Sequence, residues 1–506
     1  MEEFLSLHGI HKSFVGVYAL KGVDFSIRRG EIHCLVGENG SGKSTLIKII
    51  SGVLPPDRGE IRVEGQRREH LGSGASIEHG IHVIYQDLSL FPNLTVAENI
   101  AISELEAEGR ALIRWREVRK IARAAMGRIN VSIDLDERVG DLPIGVQQLV
   151  AICRALTSEL KLLILDEPTA SLTKRDIDSL LSVVRDLQSK GIAVLFVSHK
   201  LSEVFAVAER ITVLRDGETV ATLPRSELTN EKLVTLMTGK TITETRFQGP
   251  EGAGRKLLEV RGLSKKGNFR DVSFDLHAGE ILGITGLIGS GRTELALALF
   301  GVSPADSGTI FVEGSPVRIA SVQDAVRAGI AYVPENRLAQ GLFMKQSVAD
   351  NVIAAILRRL LTRLRLIDPR RRKHSAQKGI SALEVKVSDP AVAVQTLSGG
   401  NQQRVVISKW LASEPRILIL DGPTVGIDVL AKSAIHDIVR NLAARGIGVL
   451  LISDEIPEVV NNSSRILLMR SGRIRSEVSA QGVHVKDLQR LVEAGQDETT
   501  ANRGPT

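Results

Sequence analysis

The sequence predicts an α/β protein built from two copies of one domain. Apolar, β-branched segments alternate with amphipathic helical segments throughout, which is typical of an α/β fold. Blocks of the first half also recur in order in the second: GENGSGKST (37–45) as GLIGSGRTE (286–294), and LLILDEPT (162–169) as ILILDGPT (417–424). The offset between copies rises only from 249 to 255 residues, so a few short insertions account for it. We therefore expect a duplicated domain of about 240 residues.

Composition shifts place the domain boundaries. We predict a first domain over 1–240, a linker over 241–255, a second domain over 256–495 and a disordered tail over 496–506. The linker region contains GKTITETRFQGPEGAG, rich in Gly, Thr and Pro. The tail QDETTANRGPT is polar and aperiodic, whereas VHVKDLQRLVEAG just before it predicts a short helix.

Bulk properties indicate a cytosolic protein. Apolar residues make up 43% of the 506 residues and charged residues 25%, ordinary values for a globular chain. No apolar run reaches the roughly 18 residues that a membrane helix needs, and MEEFLSLHGIHKSF lacks the apolar core of a signal peptide. Cys34 and Cys153 fit no metal or disulfide framework. The net charge of +6 is compatible with nucleic acid, with other anions or with a nearby membrane.

A glycine-rich turn between a strand and a helix predicts a phosphate-binding loop. In EIHCLVGENGSGKSTLIKIISG a buried strand over 31–36 leads into the turn, and a helix begins at Lys43. Glycines let backbone N–H groups point at a phosphate, and the helix N-terminus favours the same anion. Lys43 would reach the outer phosphates and Ser44 would bind Mg²⁺. A chance glycine turn is the alternative, and the strand–turn–helix context argues against it. The loop comprises Gly37, Glu38, Asn39, Gly40, Ser41, Gly42, Lys43, Ser44 and Thr45.

The strand LLILDE ends on two acids that fit the same site. Asp166 matches an aspartate that holds Mg²⁺ through water, and Glu167 follows it. Alone, this segment is more simply a buried strand with a helix-capping acid. Together with the phosphate loop, it indicates a nucleotide site.

Five motifs resemble the nucleotide-binding domains of the ATP-binding-cassette (ABC) family. They are GENGSGKST, the glutamine of VIYQD, LSGGNQQ, LLILDEPT and the histidine of FVSHK. LSGGNQQ is diagnostic, because ordinary P-loop enzymes lack it. The resemblance covers residues 4–480, and the fused halves are similar to the ATPase subunit of bacterial monosaccharide importers of the ribose, xylose and galactose kind. It implies tandem P-loop NTPase domains, each with a mixed-sheet core, a helical subdomain and an antiparallel β subdomain.

In that family two cassettes face each other head to tail, and each ATP lies between the Walker motifs of one and the LSGGQ-like loop of the other. Site one would pair the first-half Walker side with LSGGNQQ. The resemblance implies that Glu167 polarises the attacking water, His199 contacts the γ-phosphate, and Phe14 stacks on adenine. The remaining residues implied here are Ser44, Gln86 and Asp166 for Mg²⁺, with Gln86 also in the catalytic set, Ser398, Gly399, Gly400 and Gln402 from the opposite loop, and Asp428.

Site two would pair the second-half Walker side with LPIGVQQ of the first half, and it departs from the family pattern. Arg292 replaces the lysine, Gly422 the catalytic glutamate and Asp454 the histidine. Pro143 offers neither a hydroxyl nor a backbone N–H. No aromatic residue in SKKGNFRDV matches Phe14. Other residues of this degenerate site are Gly286, Gly289, Gly291, Thr293, Glu335 (where a glutamine is usual) and Asp421.

Every departure falls on the same composite site. Loss of a general base costs about 10²–10⁴ in rate. We therefore predict that site one hydrolyses ATP and that site two binds nucleotide weakly or statically without turnover.

The resemblance implies that ATP hydrolysis, with Mg²⁺, powers import of a sugar or sugar-like solute. The partners would be two transmembrane permease subunits, alike or different, and through them a periplasmic solute-binding protein. Membrane contact would be indirect, no nucleic acid would be bound, and the chain would lie on the cytoplasmic face of the inner membrane. The alternative is a soluble tandem-cassette factor acting on the ribosome. Such factors have a long charged helical linker and normally keep both catalytic glutamates, unlike this sequence.

Two kinds of segment suggest contact surfaces. By resemblance, 87–100 and 336–352 would grip the permease, although their apolar residues equally suit a core. The basic run RRLLTRLRLIDPRRRK (358–373) suits lipid headgroups or the permease, and a solvated helical face is the simpler interpretation.

Overall fold

The protein divides into two compact units, Met1–Ile242 and Thr243–Thr506. The predicted tail 496–506 lies outside the described residues, as do 242–245 and 250–253 of the predicted linker. No helix in the described part of the chain is both long and apolar enough to span a bilayer. The structure is a computed structural model that describes residues 2–107, 113–169, 172, 174–198, 200–241, 246–249, 254–287 and 289–493.

The first unit alternates strands and helices as predicted. Short 3₁₀ turns cover Val139–Asp141 and Arg225–Glu227. In chain order its elements are β1 (Glu3–Phe14), β2 (Val17–Arg28), β3 (Ile32–Val36), α1 (Lys43–Ile50), β4 (Arg58–Val63), β5 (Gln66–Arg68), α2 (Ser73–Glu78), β6 (Ile81–Ile84), α3 (Val96–Ala107), α4 (Trp115–Gly127), α5 (Ile144–Ala155), β7 (Leu162–Asp166), α6 (Lys174–Ser189), β8 (Ala193–Val197), α7 (Leu201–Val207), β9 (Arg210–Arg215), β10 (Glu218–Pro224) and α8 (Asn230–Thr238).

Two sheets organise this unit. An antiparallel sheet has strand order β2–β1–β4–β5, and a mixed sheet has order β10–β9–β3–β8–β7–β6. In the mixed sheet β3 lies between β8 and β9 and runs parallel to both, whereas β10 at the edge is antiparallel to β9. All five residues of β3 are buried, as expected for a strand covered on both faces. The carboxyl ends of β3, β7 and β8 therefore meet at one edge, where an α/β sheet binds its ligands.

The second unit has the same succession of elements. Its distinguishing features are a π-helical turn at Arg337–Gly341 and 3₁₀ turns at Ala354–Leu360 and Val394–Thr396. The elements are β11 (Lys256–Lys265), β12 (Phe269–His277), β13 (Ile281–Thr285), α9 (Arg292–Leu299), β14 (Ser307–Val312), β15 (Ser315–Val317), α10 (Val322–Arg327), β16 (Ile330–Val333), α11 (Val348–Ile353), α12 (Pro369–Ala382), α13 (Gly399–Leu411), β17 (Ile417–Asp421), α14 (Val429–Ala444), β18 (Gly448–Ile452), α15 (Ile456–Asn462), β19 (Arg465–Arg470), β20 (Arg473–Ser479) and α16 (Val485–Glu493).

The strand orders of this unit, β12–β11–β14–β15 and β16–β17–β18–β13–β19–β20, repeat those of the first. Helices α3–α5 in one unit and α11–α13 in the other pack on one another as a helical subdomain. The predicted α/β class, with a mixed sheet, a helical subdomain and an antiparallel sheet in each copy, is confirmed. Helix α16 corresponds to the short helix predicted before the tail.

The described part of the predicted linker lies against the second unit. The backbone N–H of Phe247 donates to the carbonyl of Asn461 at 2.8 Å, and the Arg246 guanidinium reaches the Ala480 carbonyl at 3.4 Å. Residues 246–249 thus belong structurally to the domain that they precede.

Candidate active site

The phosphate loop of the first unit follows β3, and α1 begins at Lys43 as predicted. Gly42 has a φ of +106°, in the region that favours glycine, and a Cβ there would lie 2.7 Å from the Ala19 carbonyl oxygen. Gly40, with a φ of +82°, allows the second bend. The strand itself starts at Ile32, one residue later than predicted. The loop therefore has the shape that lets backbone N–H groups converge.

Lys43 lies across this loop. Its Nζ donates to the carbonyls of Gly37 at 2.8 Å and Glu38 at 2.9 Å, and the side chain is buried. The ammonium group is held within the loop, where it can meet an anion at little conformational cost. Ser44, in the first turn of α1, is exposed, and its hydroxyl is accessible to a ligand.

Asp166 and Glu167 close β7 beside the loop. Burial and the neighbouring Glu167 carboxylate raise the pKa of Asp166, and Lys43 and Lys48 only partly offset them. Glu167 has a φ of +48°, and its N–H donates to the Val197 carbonyl at 2.9 Å. A non-glycine residue in this conformation is uncommon and strained by about 1 kcal/mol or more. Such strain, at the end of a central strand, is typical of a functional position.

Other predicted residues of this half lie around the loop. Gln86 follows β6 and is exposed, and Phe14 ends β1 with 47% of its surface exposed, so its ring is available for stacking. His199 lies outside the described residues.

A buried acid that the sequence reasoning missed links the segments beyond β7 and β8. Glu203 accepts hydrogen bonds from Thr169 at 2.6 Å and Ser198 at 3.0 Å, and it is 4% exposed. The same acid recurs as Glu458, bonded to Thr424 and Ser453. Its presence in both FVSHKLSEV and LISDEIPEV was the available signal. Glu203 therefore joins the residues that follow β7 and β8 through Thr169 and Ser198.

The second phosphate loop has the same backbone and a different charge arrangement. Gly291 has a φ of +98° and precedes Arg292, the first residue of α9. The Arg292 guanidinium donates to the Ser453 carbonyl at 3.2 Å and to the carboxylate of Asp454. Two residues that replace the family's lysine and histidine therefore neutralise each other.

Asp421, the last residue of β17, is also hydrogen-bonded within the second unit. The Tyr332 hydroxyl donates to Asp421 Oδ2 at 3.1 Å, and Thr293 provides another hydrogen bond. Burial, above all, raises the pKa of Asp421 to about 6. The equivalent position of the first unit, 249 residues earlier, is Val83. Asp166 therefore has no counterpart of the Tyr332 hydroxyl at that position.

Gly422 keeps the backbone of the residue that it replaces. Its φ is +53°, close to that of Glu167, and its N–H donates to the Ile452 carbonyl at 2.8 Å. A Cβ at Gly422 would lie 3.0 Å from the side chain of Glu335, which is exposed after β16. Phe269, the aromatic residue of the hairpin, is 3% exposed in the core and so is unsuited to stacking on a base.

The LSGGNQQ loop opens α13 of the second unit. Ser398 is the exposed N-cap, and a Cβ at Gly400 would lie 2.6 Å from the Ala431 Cβ, so glycine permits the close packing on α14. Asp428 caps α14 by accepting from the Ala431 N–H at 2.8 Å. Gln402 is buried and donates to the Leu397 carbonyl at 3.0 Å. The Gln402 amide thus holds the loop, and its contact with ATP stays a prediction.

Arg337, which the sequence analysis did not single out, connects three segments of this unit. Its guanidinium donates to the carbonyls of Val425 at 2.6 Å and Gly426 at 3.0 Å, and a Cβ on Gly399 would lie 2.9 Å from Nη2. In the first unit Pro143 occupies the N-cap of α5 with a φ of −56°.

Comparison with known proteins identifies the family. The model of the ABC transporter family matches residues 20–170 and 269–425, together more than half of the chain. The chain belongs to the ABC transporter family. Ribose import ATP-binding protein RbsA 2 of Rhizobium etli is 43% identical over 493 residues, covering 97% of each chain. RbsA of Geobacillus kaustophilus is 41% identical, covering 97% of this chain and 99% of the relative. A solved ATP-binding cassette of an ABC transporter in its ADP conformation is 28% identical with a TM-score of 0.43, covering 47% of this chain and 100% of that one. The predicted family resemblance is confirmed.

In this ABC transporter chain, both units present an exposed phenylalanine on a loop fixed by a buried asparagine. Asn99 accepts from the Phe91 N–H and donates to the Phe91 carbonyl, at 2.8 and 2.9 Å. Asn351 makes the same pair with Phe343, at 2.8 and 3.1 Å. The asparagines are fully buried, whereas the phenylalanines are 49% and 62% exposed. The backbone of each exposed phenylalanine is thus fixed by a buried side chain.

A cation from the following subdomain helix also holds each loop segment. The Arg154 guanidinium of α5 donates to the carbonyls of Leu88 and Ser89, at 3.2 and 2.8 Å. Lys409 of α13 donates to the Gly341 carbonyl, and burial lowers its pKa to about 8. The LSGGNQQ loop and its first-half equivalent LPIGVQQ lead into α13 and α5. Each of these helices is therefore tied to the segment that carries the exposed phenylalanine of its unit.

Proposed function

We propose that this chain hydrolyses ATP at the first phosphate loop to power import of a ribose-type sugar through a separate membrane permease. The observation that carries the proposal is the arrangement of Lys43, Asp166 and Glu167 at one edge of the first sheet, in a chain whose relatives are ribose import ATP-binding proteins. The alternative of a ribosome-associated translation factor has no support among these relatives.

Ser44, Gln86 and Asp166 fit a magnesium ion bound with ATP. Their donors are oxygens, which Mg²⁺ prefers. The raised pKa of Asp166 reflects buried negative charge that a divalent cation would neutralise. Magnesium supplies charge compensation for the phosphates.

The residues of the first unit have distinct roles in the reaction. Glu167 orients and polarises the attacking water, as its position after Asp166 supports. The Lys43 ammonium stabilises charge on the outer phosphates, and the Phe14 ring stacks on adenine. His199 contacts the γ-phosphate, and Glu203 fixes Ser198 beside it.

Hydrolysis is confined to the site with the first-half Walker side, which Ser398, Gly399 and Gly400 complete. Support comes from the sequence. The other composite site, which pairs the second-half Walker side with LPIGVQQ, would contain Arg292, Gly422, Asp454 and Pro143. The Arg292–Asp454 pair further supports weak or static nucleotide binding at the degenerate site.

Phe91 and Phe343 are the apolar anchors for the permease. Their exposure and rigid support suit docking surfaces, and their recurrence in both units fits two permease subunits. A periplasmic solute-binding protein would deliver the sugar, and the chain would act at the cytoplasmic face of the inner membrane.

The experiment is ATPase measurement on the chain reconstituted with its permease and binding protein in vesicles. We expect ribose or a related sugar to stimulate ATP hydrolysis. The sugar should accumulate on the side of the vesicle membrane that carries this chain. Single-turnover analysis should give one ATP hydrolysed per chain; two per chain would contradict the asymmetry. Full ATPase activity that no sugar and no permease alters would contradict the import function.

A further inference from the structure

The segment between α11 and α12 of the second unit exposes leucines and cations together. Leu364 is 82% exposed, Leu366 65% and Ile367 44%. Residues 358–378 contain nine arginines and lysines and a single carboxylate, Asp368. A purely solvated face would not place three large apolar side chains at the surface among its charges. The basic run is therefore more than a solubilising face.

A cavity of about 370 Å³ lies beside this segment. Ile356, Leu360 and Leu411 form its apolar wall, and Arg371, His374 and Lys378 stand around it. Glu414 also lines it and lies 3.9 Å from the Arg359 guanidinium. The volume is within the range of small-molecule pockets. Apolar walls with cationic neighbours suit an amphiphilic anion.

A buried polar group faces the same cavity. Ser408 of α13 lines it, is 1% exposed, and its hydroxyl has no hydrogen-bond partner within the described residues. Buried hydroxyls are normally hydrogen-bonded, and leaving one unpaired is destabilising. Ser408 thus offers a hydrogen bond to an oxygen atom of a ligand in the cavity.

We propose that this face binds an anionic phospholipid at the membrane surface. Arg371 and Lys378 take the headgroup phosphate, Leu364 and Leu366 enter the interfacial layer, and the cavity takes the apolar part of the lipid. A soluble anion would leave the exposed leucines uncovered. The contact goes beyond ATP-driven sugar import and does not depend on which solute is carried.

Two further observations support a lipid. The Arg372 guanidinium donates to Asp350 Oδ1 at 2.6 Å, which joins α12 to the helix directly after the Phe343 loop. The lipid face is therefore contiguous with the surface proposed for the permease. The equivalent stretch of the first half, SELEAEGRALIR (103–114), carries three glutamates and two arginines, so the property belongs to the second half.

The test is flotation of the full chain with vesicles of phosphatidylglycerol and phosphatidylcholine, against vesicles of phosphatidylcholine alone. We expect binding only to the anionic vesicles, weakening as salt rises. Arg371→Gln with Lys378→Gln should weaken partitioning about fivefold per charge. Leu364→Ser should weaken it about tenfold through lost apolar burial. The matched control, Arg270→Gln with Arg445→Gln, removes two exposed cations outside the segment and should leave partitioning nearly unchanged.

Further arms separate the sources of the anion and the kind of partner. Ser375→Phe, which fills the cavity without changing charge, should also weaken vesicle binding. Competition by inorganic phosphate at constant ionic strength would overturn the proposal in favour of a free anion. Binding to duplex DNA that is as tight as to vesicles and insensitive to Leu364→Ser would overturn it in favour of nucleic acid. If the control pair weakened vesicle binding as much as Arg371→Gln with Lys378→Gln, the contact would depend only on net charge. That result would also overturn the proposal.

Discussion

The guanidinium of Arg292 donates to the carboxylate of Asp454, so the two substitutions nearest the second phosphate loop neutralise one another. Arg292 is buried, and a lone cation there would require an anion. Asp454 supplies that anion from within the chain. An incoming triphosphate must compete with this carboxylate for the charge that a phosphate loop normally offers freely.

Restoring the family residues should strengthen nucleotide binding in the second unit without restoring hydrolysis. Arg292→Lys with Asp454→His removes the internal ion pair and returns a free ammonium, whereas Gly422 still provides no base. In a Glu167→Gln background, titration with a fluorescent ATP analogue should show a second site at least about tenfold tighter than before. The steady-state ATPase rate of the same double variant with Glu167 intact should stay at the unmodified level. A doubled rate would show that the second site needs no glutamate.

Replacing the carboxylate that we assign as the base should stop turnover. Glu167→Gln preserves size and backbone but cannot polarise water, so kcat should fall by about 10²–10⁴ while ATP binding persists. The measurement is phosphate release together with nucleotide affinity. Glu218→Gln, an exposed glutamate on β10, is the matched control and should keep full activity. Appreciable residual turnover in Glu167→Gln would place the base elsewhere.

Asp421 should make the second domain less stable as pH rises. Its pKa is raised from 3.8 to about 6, so between these values the folded state binds more protons than the unfolded state. The contribution of this group to stability is consequently present below pH 4 and lost as pH rises through 6. Asp421→Asn should remove that loss. The free energy of unfolding of the variant, relative to wild type, should therefore be about 2 kcal/mol higher at pH 7 than at pH 4.

Denaturant unfolding of the full chain at both pH values provides the check. Asp437→Asn, an exposed acid on α14, is the control and should show no such gain. A gain of the same size in both variants would assign the effect to net charge.

Asn351 should matter for permease docking rather than for chemistry. Its buried side chain makes hydrogen bonds with Phe343, Gln346 and Ser347, so Asn351→Ala should destabilise the second domain by about 2–3 kcal/mol. Co-purification with the permease should decline, whereas the basal ATPase rate of the isolated chain should change little. Asn441→Ala, at an exposed position on α14, serves as the control. Loss of basal ATPase activity with normal permease binding would contradict this assignment.

The fold and the first phosphate loop were predictable because local sequence determines them. A β-branched strand, glycines at bends and a helix starting at Lys43 require no long-range information. The partners of buried polar groups were not predictable in this way. Tyr332 reads as an ordinary strand residue, and only the pairing of β16 with β17 brings its hydroxyl to Asp421.

The same limit applies to the substitutions at the second site. The sequence showed that Arg292 and Asp454 were unusual, but their separation of 162 residues concealed that each compensates the other. The motif around Gln402 likewise suggested a ligand contact, and only the structure shows that its amide donates to the Leu397 carbonyl. Motif position indicates which residues are special, and packing determines what each one does.

Gly422 retains a φ of +53°, a conformation that Glu167 adopts at a cost and that glycine adopts freely. Glycine at this position therefore carries none of the backbone strain that glutamate carries in the first unit. A glutamate placed at Gly422 would take on that strain, and its Cβ would lie 3.0 Å from the Glu335 Cγ. It would also stand beside a loop whose cation is already paired. The second unit thus keeps the backbone shape of the segment after β17 at no conformational cost, so the fold of this segment is separable from the carboxylate that the first unit carries there.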